Sequence, residues 1–156
     1  MKHLGYFFYI LILGLWTGGV FIYTFVVTPI LFKTYGRDKA GDIVGSLFPA
    51  YFIFTIAISV LAMLFLFAAC SEMTKTAFKV SVGLAVLAFS IAIYVRVSLY
   101  PKILDVKRGV PSFEITAVDD PLRVKFRRLH AVSAVLNLVF LADGTVLMAI
   151  GTILRR

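Results

Sequence analysis

The sequence predicts an all-α integral membrane protein, an antiparallel bundle of four transmembrane helices. Three observations predict it: four long apolar runs, charges gathered at the ends of those runs, and turns short enough to make consecutive helices antiparallel neighbours. Of 156 residues, 61% are hydrophobic and 15% charged, with a mean hydropathy of +0.98. A soluble domain is about 45–50% apolar and about 25% charged, so the surplus faces something other than water. Lipid is the plain candidate, and one domain is the expectation at this length.

The first helix is expected over residues 3–33. Its uncharged run, 4–32, is 29 residues long, well beyond the roughly 7–15-residue core of a signal peptide. No small-residue cleavage site follows a short core, so the segment is expected to be retained. The second helix is expected over 39–71, on a charge-free run from 43 to 71 of another 29 residues. Gly36 ends the first helix region, and Asp38 or Asp42 is placed to cap the second. A third helix over 75–104 follows a very short turn at Ser71 and Thr74, and carries one internal charge, Arg96. The fourth, over 121–154, carries Asp143. Asp119 and Asp120 provide its acidic N-cap, with Pro121 at the first helical position. A span needs about 20 apolar residues, so all four suffice, and the first two have length to spare for tilt or a kink. The longest connection, 105–120, is a polar loop with Gly109 and Pro111. The chain contains no evident internal repeat.

The formal net charge is +8, but its distribution argues against nucleic acid and for anionic headgroups. Ten basic residues lie in the 1–2 and 3–4 connections and five at the opposite end. The positive-inside rule then places the two larger connections in the cytoplasm and both termini outside a plasma (bacterial inner) membrane. Cys70 is the only cysteine, which excludes an intrachain disulfide and any multi-cysteine metal site.

Charges inside the membrane mark the candidate sites, because each costs roughly 2.5–3.5 kcal/mol at mid-bilayer. Arg96 lies five residues before Pro101, about 7–8 Å inside the boundary, where it either snorkels to the headgroups or binds a ligand. Asp143 lies about 16 Å from the opposite boundary, at a depth similar to that of Trp16. The indole N–H of Trp16 is therefore placed to donate to the Asp143 carboxylate if the first and fourth helices are neighbours. A neutral aspartic acid that locks two helices is the plainer role.

On the fourth helix Arg123, Arg127, His130, Ser133, Asn137 and Gly144 fall within about 60° of one direction, with Asp143 on nearly the opposite side. Such a polar stripe faces the bundle interior or a wet cavity. Interhelical hydrogen bonds by Ser133 and Asn137 are its ordinary use; an anion or polar-headgroup site built from Arg96, Arg127 and His130 is its sharper one. Pro29 is expected to close helix one, Pro49 to bend helix two near its start, and Pro101 to close helix three, all widening the same end of the bundle. Gly14 with Gly18, and Gly41 with Gly45, are small-xxx-small pairs that permit close helix approach within the bundle or between protomers. CxxC, HExxH, GxSxG and phosphate-cradling glycine loops are absent. His3 and His130 lie near opposite faces and cannot ligate one haem together within a protomer.

The segment at 16–32, WTGGVFIYTFVVTPILF, resembles the first-helix signature of a family of unknown function. That family contains small bacterial four-helix membrane proteins and is similar to eukaryotic transmembrane protein 205. The stretches AGDIVGSLFPAYF at 40–52 and LHAVSAVLN at 129–137 match the same pattern. More distantly, the family is similar to the CopD copper-resistance and HemJ protoporphyrinogen-oxidase membrane proteins. HemJ-like proteins hold haem through a first-helix histidine upstream of a tryptophan; this chain has Tyr9 at the corresponding place before Trp16. The resemblance implies the fold and the positions of Trp16, Pro29, His130 and Asn137, and supplies no activity.

The leading expectation is a non-enzymatic protein, oligomeric in the membrane. It would bind or pass a small polar, anionic or amphipathic ligand through Trp16, Arg96, Arg127, His130 and Asn137. The rivals are an accessory subunit of a larger membrane complex and a haem- or metal-linked redox protein.

Overall fold

The computed structural model describes residues 2–154. Arg155 and Arg156, counted above among the basic residues at the terminal end, lie outside the described residues. Helix α1 runs over Lys2–Ile22, passes through a π-helical turn at Tyr23–Val27 and resumes as Thr28–Thr34. Helix α2 is Arg37–Ala68. Helix α3 runs over Lys75–Tyr94, through a second π turn at Val95–Leu99, and on as Tyr100–Arg108. Helix α4 is Pro121–Ile153. At 32 residues, α2 is about 48 Å long and outreaches a hydrocarbon core of about 30 Å.

The helices close a ring in which α1 packs on α2, α2 on α3, α3 on α4 and α4 back on α1. Short turns dictate this up-down-up-down order. The start of α1, the end of α4 and the Cys70–Glu72 turn share one end, where Tyr6 donates to the carbonyl of Gly151 at 2.6 Å and His3 lies 3.5 Å from Glu72. The opposite end, called the connection end below, carries residues 35–36 and 109–120.

Capping follows local chemistry. Asp120 accepts from the amides of Leu122 and Arg123 at 2.9 and 3.0 Å, and Thr74 accepts from Ala77 at 3.2 Å. Neither Asp38 nor Asp42 caps α2, whose N-cap is Gly36; both carboxylates are drawn away by partners on α3 and the 109–120 loop. The prolines also behave differently from expectation. Pro29 and Pro101 do not close their helices, which continue to Thr34 and Arg108. A proline deprives the carbonyl four residues earlier of its donor. In each helix the residue just before the proline instead bonds five residues back, Thr28 to Tyr23 and Tyr100 to Val95. The Thr28 hydroxyl adds a bond to the same Tyr23 carbonyl at 2.9 Å.

The core is packed tightest in the terminal half. Tyr9, Leu13, Trp16 and Val20 of α1 meet Ile58, Ala62 and Leu66 of α2, Ala85 and Ala88 of α3, and Phe140 and Leu147 of α4. Small residues set the helix spacing there, as expected where lipid offers no hydrophobic drive to association. Gly144 faces the Trp16 indole and Gly151 faces Tyr9 and Ile10. By contrast, Gly14 and Gly18 meet nothing within 4 Å, so this pair plays no part in packing the protomer. Leucine, valine and phenylalanine cover the outer faces of all four helices, which suits a surface that meets lipid rather than water.

Candidate functional site

Toward the connection end the core thins into a cavity of ≈ 860 Å³ bounded by all four helices and the 109–120 loop. The π turns and prolines lie at this level. A π turn widens the helix by one residue and redirects its side chains, and here it brings Tyr23 and Thr24 to the wall. Arg37 and Thr55 both line the cavity, 18 residues apart on α2, so the space extends about 27 Å along the bundle. Its walls are mainly apolar and aromatic, with Phe48, Phe52 and Phe140 prominent.

Three helices meet in a polar cluster on the wall. The Tyr51 hydroxyl donates to Asn137 Oδ1, and Asn137 Nδ2 donates to Thr24 Oγ1 at 2.8 Å. The Tyr23 ring stacks on Tyr51 with centroids 4.3 Å apart, and its buried hydroxyl has no hydrogen-bond partner among the described residues. Asn137 is therefore held by α1 and α2 together, while Tyr23 keeps a donor to spare.

Charge concentrates at the mouth. Lys107 Nζ donates to Asp42 at 2.8 Å and to the Gly41 carbonyl at 3.2 Å. Gly41 and Gly45 face that amine, so this glycine pair admits a lysine from α3 rather than a helix backbone. Arg108 pairs with Asp105 at 3.4 Å. Asp38 accepts from the Ser112 hydroxyl at 2.5 Å and the Phe113 amide at 2.6 Å, which ties the loop to the start of α2. Arg37 makes no ion pair among the described residues and lines the mouth. Phe113 packs on Phe126 with centroids 4.6 Å apart, and Phe126 stacks on His130 at 5.7 Å. This aromatic ladder forms one side of the entrance.

Of the residues singled out in the sequence, His130 and Asn137 line the cavity, and Ser133 lines it between them. Arg127 and Arg96 are exposed on the outer surface and are not part of its wall. Arg123 turns back to donate to the Thr116 carbonyl. Trp16 is buried outside the cavity, stacked on Phe140 at 4.5 Å. Its indole N–H donates to the Phe140 carbonyl at 3.2 Å, not to Asp143, although α1 and α4 are neighbours. Asp143 is buried too, because α4 packs on α1 and α3 and so has more than one inward face. The cavity residues not anticipated are Arg37, Lys107, Tyr23, Tyr51 and Thr24. Tyrosine hydroxyls within apolar runs are buried polar groups of the same kind as Asn137, and that signal was present. Among the described residues no three His, Cys, Asp or Glu side chains come together as a metal site.

Fold and cavity together define a small, all-helical integral membrane protein with a mainly apolar chamber opening at its connection end. The chain belongs to a family defined by a domain of unknown function (DUF4149), which matches residues 11–110. The match takes in both π turns and the Lys107 anchor and leaves α4, with His130 and Asn137, outside it. No curated protein and no solved structure matches the chain.

Proposed function

We propose that the protein binds an amphipathic molecule with one apolar chain and an anionic head, lodged lengthwise in the inter-helix cavity. The observation that carries this reading is the cavity's form: ≈ 860 Å³, about 27 Å long, apolar along its walls, with charged groups at its mouth of which Arg37 stands outside every ion pair among the described residues. A compact polar ligand would leave most of such a wall unsatisfied, whereas an aliphatic chain matches it at about 25 cal/mol per Å² of buried apolar surface. Arg37 is the cation left to meet a carboxylate or phosphate, and arginine holds such groups in bidentate fashion. His130, Asn137 and the spare Tyr23 donor give the interior its few orienting polar groups. Trp16 acts on the ligand only through Phe140, and neither Arg96 nor Arg127 has a part in this reading.

A second reading, as a subunit of a larger membrane assembly or of a homo-oligomer, is favoured by Gly14 and Gly18. Their outward Cα surface suits the close approach of another helix.

Native mass spectrometry of the gently solubilised chain tests both. The expected result is a retained single-chain anionic amphiphile, reduced several-fold both in Ala134→Trp, which places an indole at the cavity wall, and in Arg37→Ala. Undiminished occupancy in Ala134→Trp would overturn the first reading. A stoichiometric second chain without any small molecule would favour the second.

A further inference from the structure

At the connection end the ring of helices does not close evenly. As far as Ile22, α1 packs on α4; beyond it neither the Tyr23–Val27 turn nor Thr28–Thr34 does, and Thr28–Thr34 packs on α2 instead. The parting begins at the π turn that accompanies Pro29. The facing seam, between α2 and Tyr100–Arg108 of α3, is bridged by side chains. There the Tyr100 ring lies 4.9 Å from Phe52 and 5.6 Å from Phe48, and Lys107 reaches Gly41 and Asp42. Across the α1–α4 seam at this end, the one hydrogen bond among the described residues runs from Asn137 to Thr24 at 2.8 Å.

That bond sets the register of the two edges. The helices are antiparallel, so toward the connection end Thr28 comes opposite Ala134 and Phe32 opposite His130. All of these residues line the cavity. Phe32, His130 and Ala134 are exposed as well, whereas Phe52, Val95 and Ile103, wall residues of α2 and α3, are buried. Side chains that belong to the inner wall and to the outer surface together mark the edges of an opening. From Thr24 to Phe32 it is about 12 Å tall. Its flanks are apolar: Val26 and Ile30 on α1, and Val135 and Leu138 on α4, are exposed. Residues 4–32 and 129–142 contain no Lys, Arg, Asp or Glu, so the slot opens sideways onto hydrocarbon. Toward water the 109–120 loop forms part of the wall, through Val110, Pro111 and Phe113.

We propose that this slot is a lateral portal, and that the ligand is a lipid of the surrounding leaflet whose chain slides in from the bilayer between α1 and α4. The proposal rests on the amphiphile-binding reading and adds the ligand's source. An aliphatic chain that leaves a bilayer for water loses its apolar surroundings, whereas through the slot it passes from one apolar medium into another. The anionic head stays at the charged mouth, within reach of Arg37, while the chain moves.

The test is an order-of-addition experiment on the full chain in phosphatidylcholine vesicles. The probe is lysophosphatidylglycerol with a photoreactive diazirine at the end of its acyl chain. Label is read by mass spectrometry at Phe52, Thr55 and Phe140, which line the cavity and are buried. In a Cys70→Ser background, Thr28→Cys and Ala134→Cys are joined across the slot by a bifunctional thiol reagent that reduction cleaves. Joined before the probe is added, the chain should lose the cavity label, and reduction should restore it. Joined afterwards, it should keep the label. If the pair does not join, the double variant Thr28→Phe, Ala134→Phe, which crowds the same edges, should load more slowly than the wild type. Equal labelling in either order, or equal loading by the crowded variant, would overturn the portal and leave the amphiphile reading standing. Label from probe mixed in detergent before reconstitution, but none from vesicles, would do the same. No cavity label by either route would sink the amphiphile reading itself, and the portal with it.

Discussion

At Gly144 an added Cβ would stand 2.9 Å from the Trp16 indole, closer than carbon atoms pack. In the sequence this glycine falls on a polar stripe, and its role in the structure is to let a tryptophan lie between two helices. Gly144→Leu should therefore destabilise the bundle by about 1–3 kcal/mol, the usual cost of overpacking, seen as a lowered Tm in detergent with the helical circular dichroism retained. A Tm equal to wild type would mean that the indole has room to move aside. Asn137 shows the complementary case. Its amide both accepts from Tyr51 and donates to Thr24, which fixes its orientation on the cavity wall. Sequence alone made Asn137 legible as an inward residue of α4 but not its partners, since the tyrosine and threonine lie on helices whose rotation the apolar pattern leaves open.

Among the elements, α1 and α3 share one device: a five-residue π turn that ends two residues before a proline. A π turn is an α-helix with a single residue inserted. Removing that residue restores the regular helix and leaves both flanks facing as before, whereas removing one from a regular stretch rotates everything beyond it by about 100°. Deleting Val26 from the first π turn should thus be tolerated, with stability within about 1 kcal/mol of wild type and a monodisperse elution profile. Deleting Leu61 from the unbroken part of α2 should abolish the folded, monodisperse species. If the two deletions behave alike, the π turn is not an accommodated insertion. The four spans themselves were legible because each needs only length and apolarity. The turns were not, because proline signals a lost hydrogen bond without saying whether the chain stops or widens in response.

In the molecule as a whole, one half is close-packed and the other is hollow, and the 109–120 loop is pinned across the hollow end by Asp38. Asp38→Ala removes the acceptor for both Ser112 and Phe113. The loop should then be cleaved faster by protease added to the solubilised protein, and the amphiphile of the proposed function should exchange more quickly. Unchanged cleavage would show that the Phe113–Phe126 contact holds the loop by itself. No pattern in the sequence announced the hollow, since a void has no composition; only its rim of His130, Ser133 and Asn137 left a trace. The pairing of Trp16 with Phe140 has a practical consequence. Trp16 is the single tryptophan, and the phenylalanine stacked on it at 4.5 Å also lines the cavity. Excited at the red edge of the ultraviolet band, the protein emits from one point in its core, one aromatic ring away from whatever the chamber holds. It carries a built-in optical reporter of its own occupancy, readable without attaching a label.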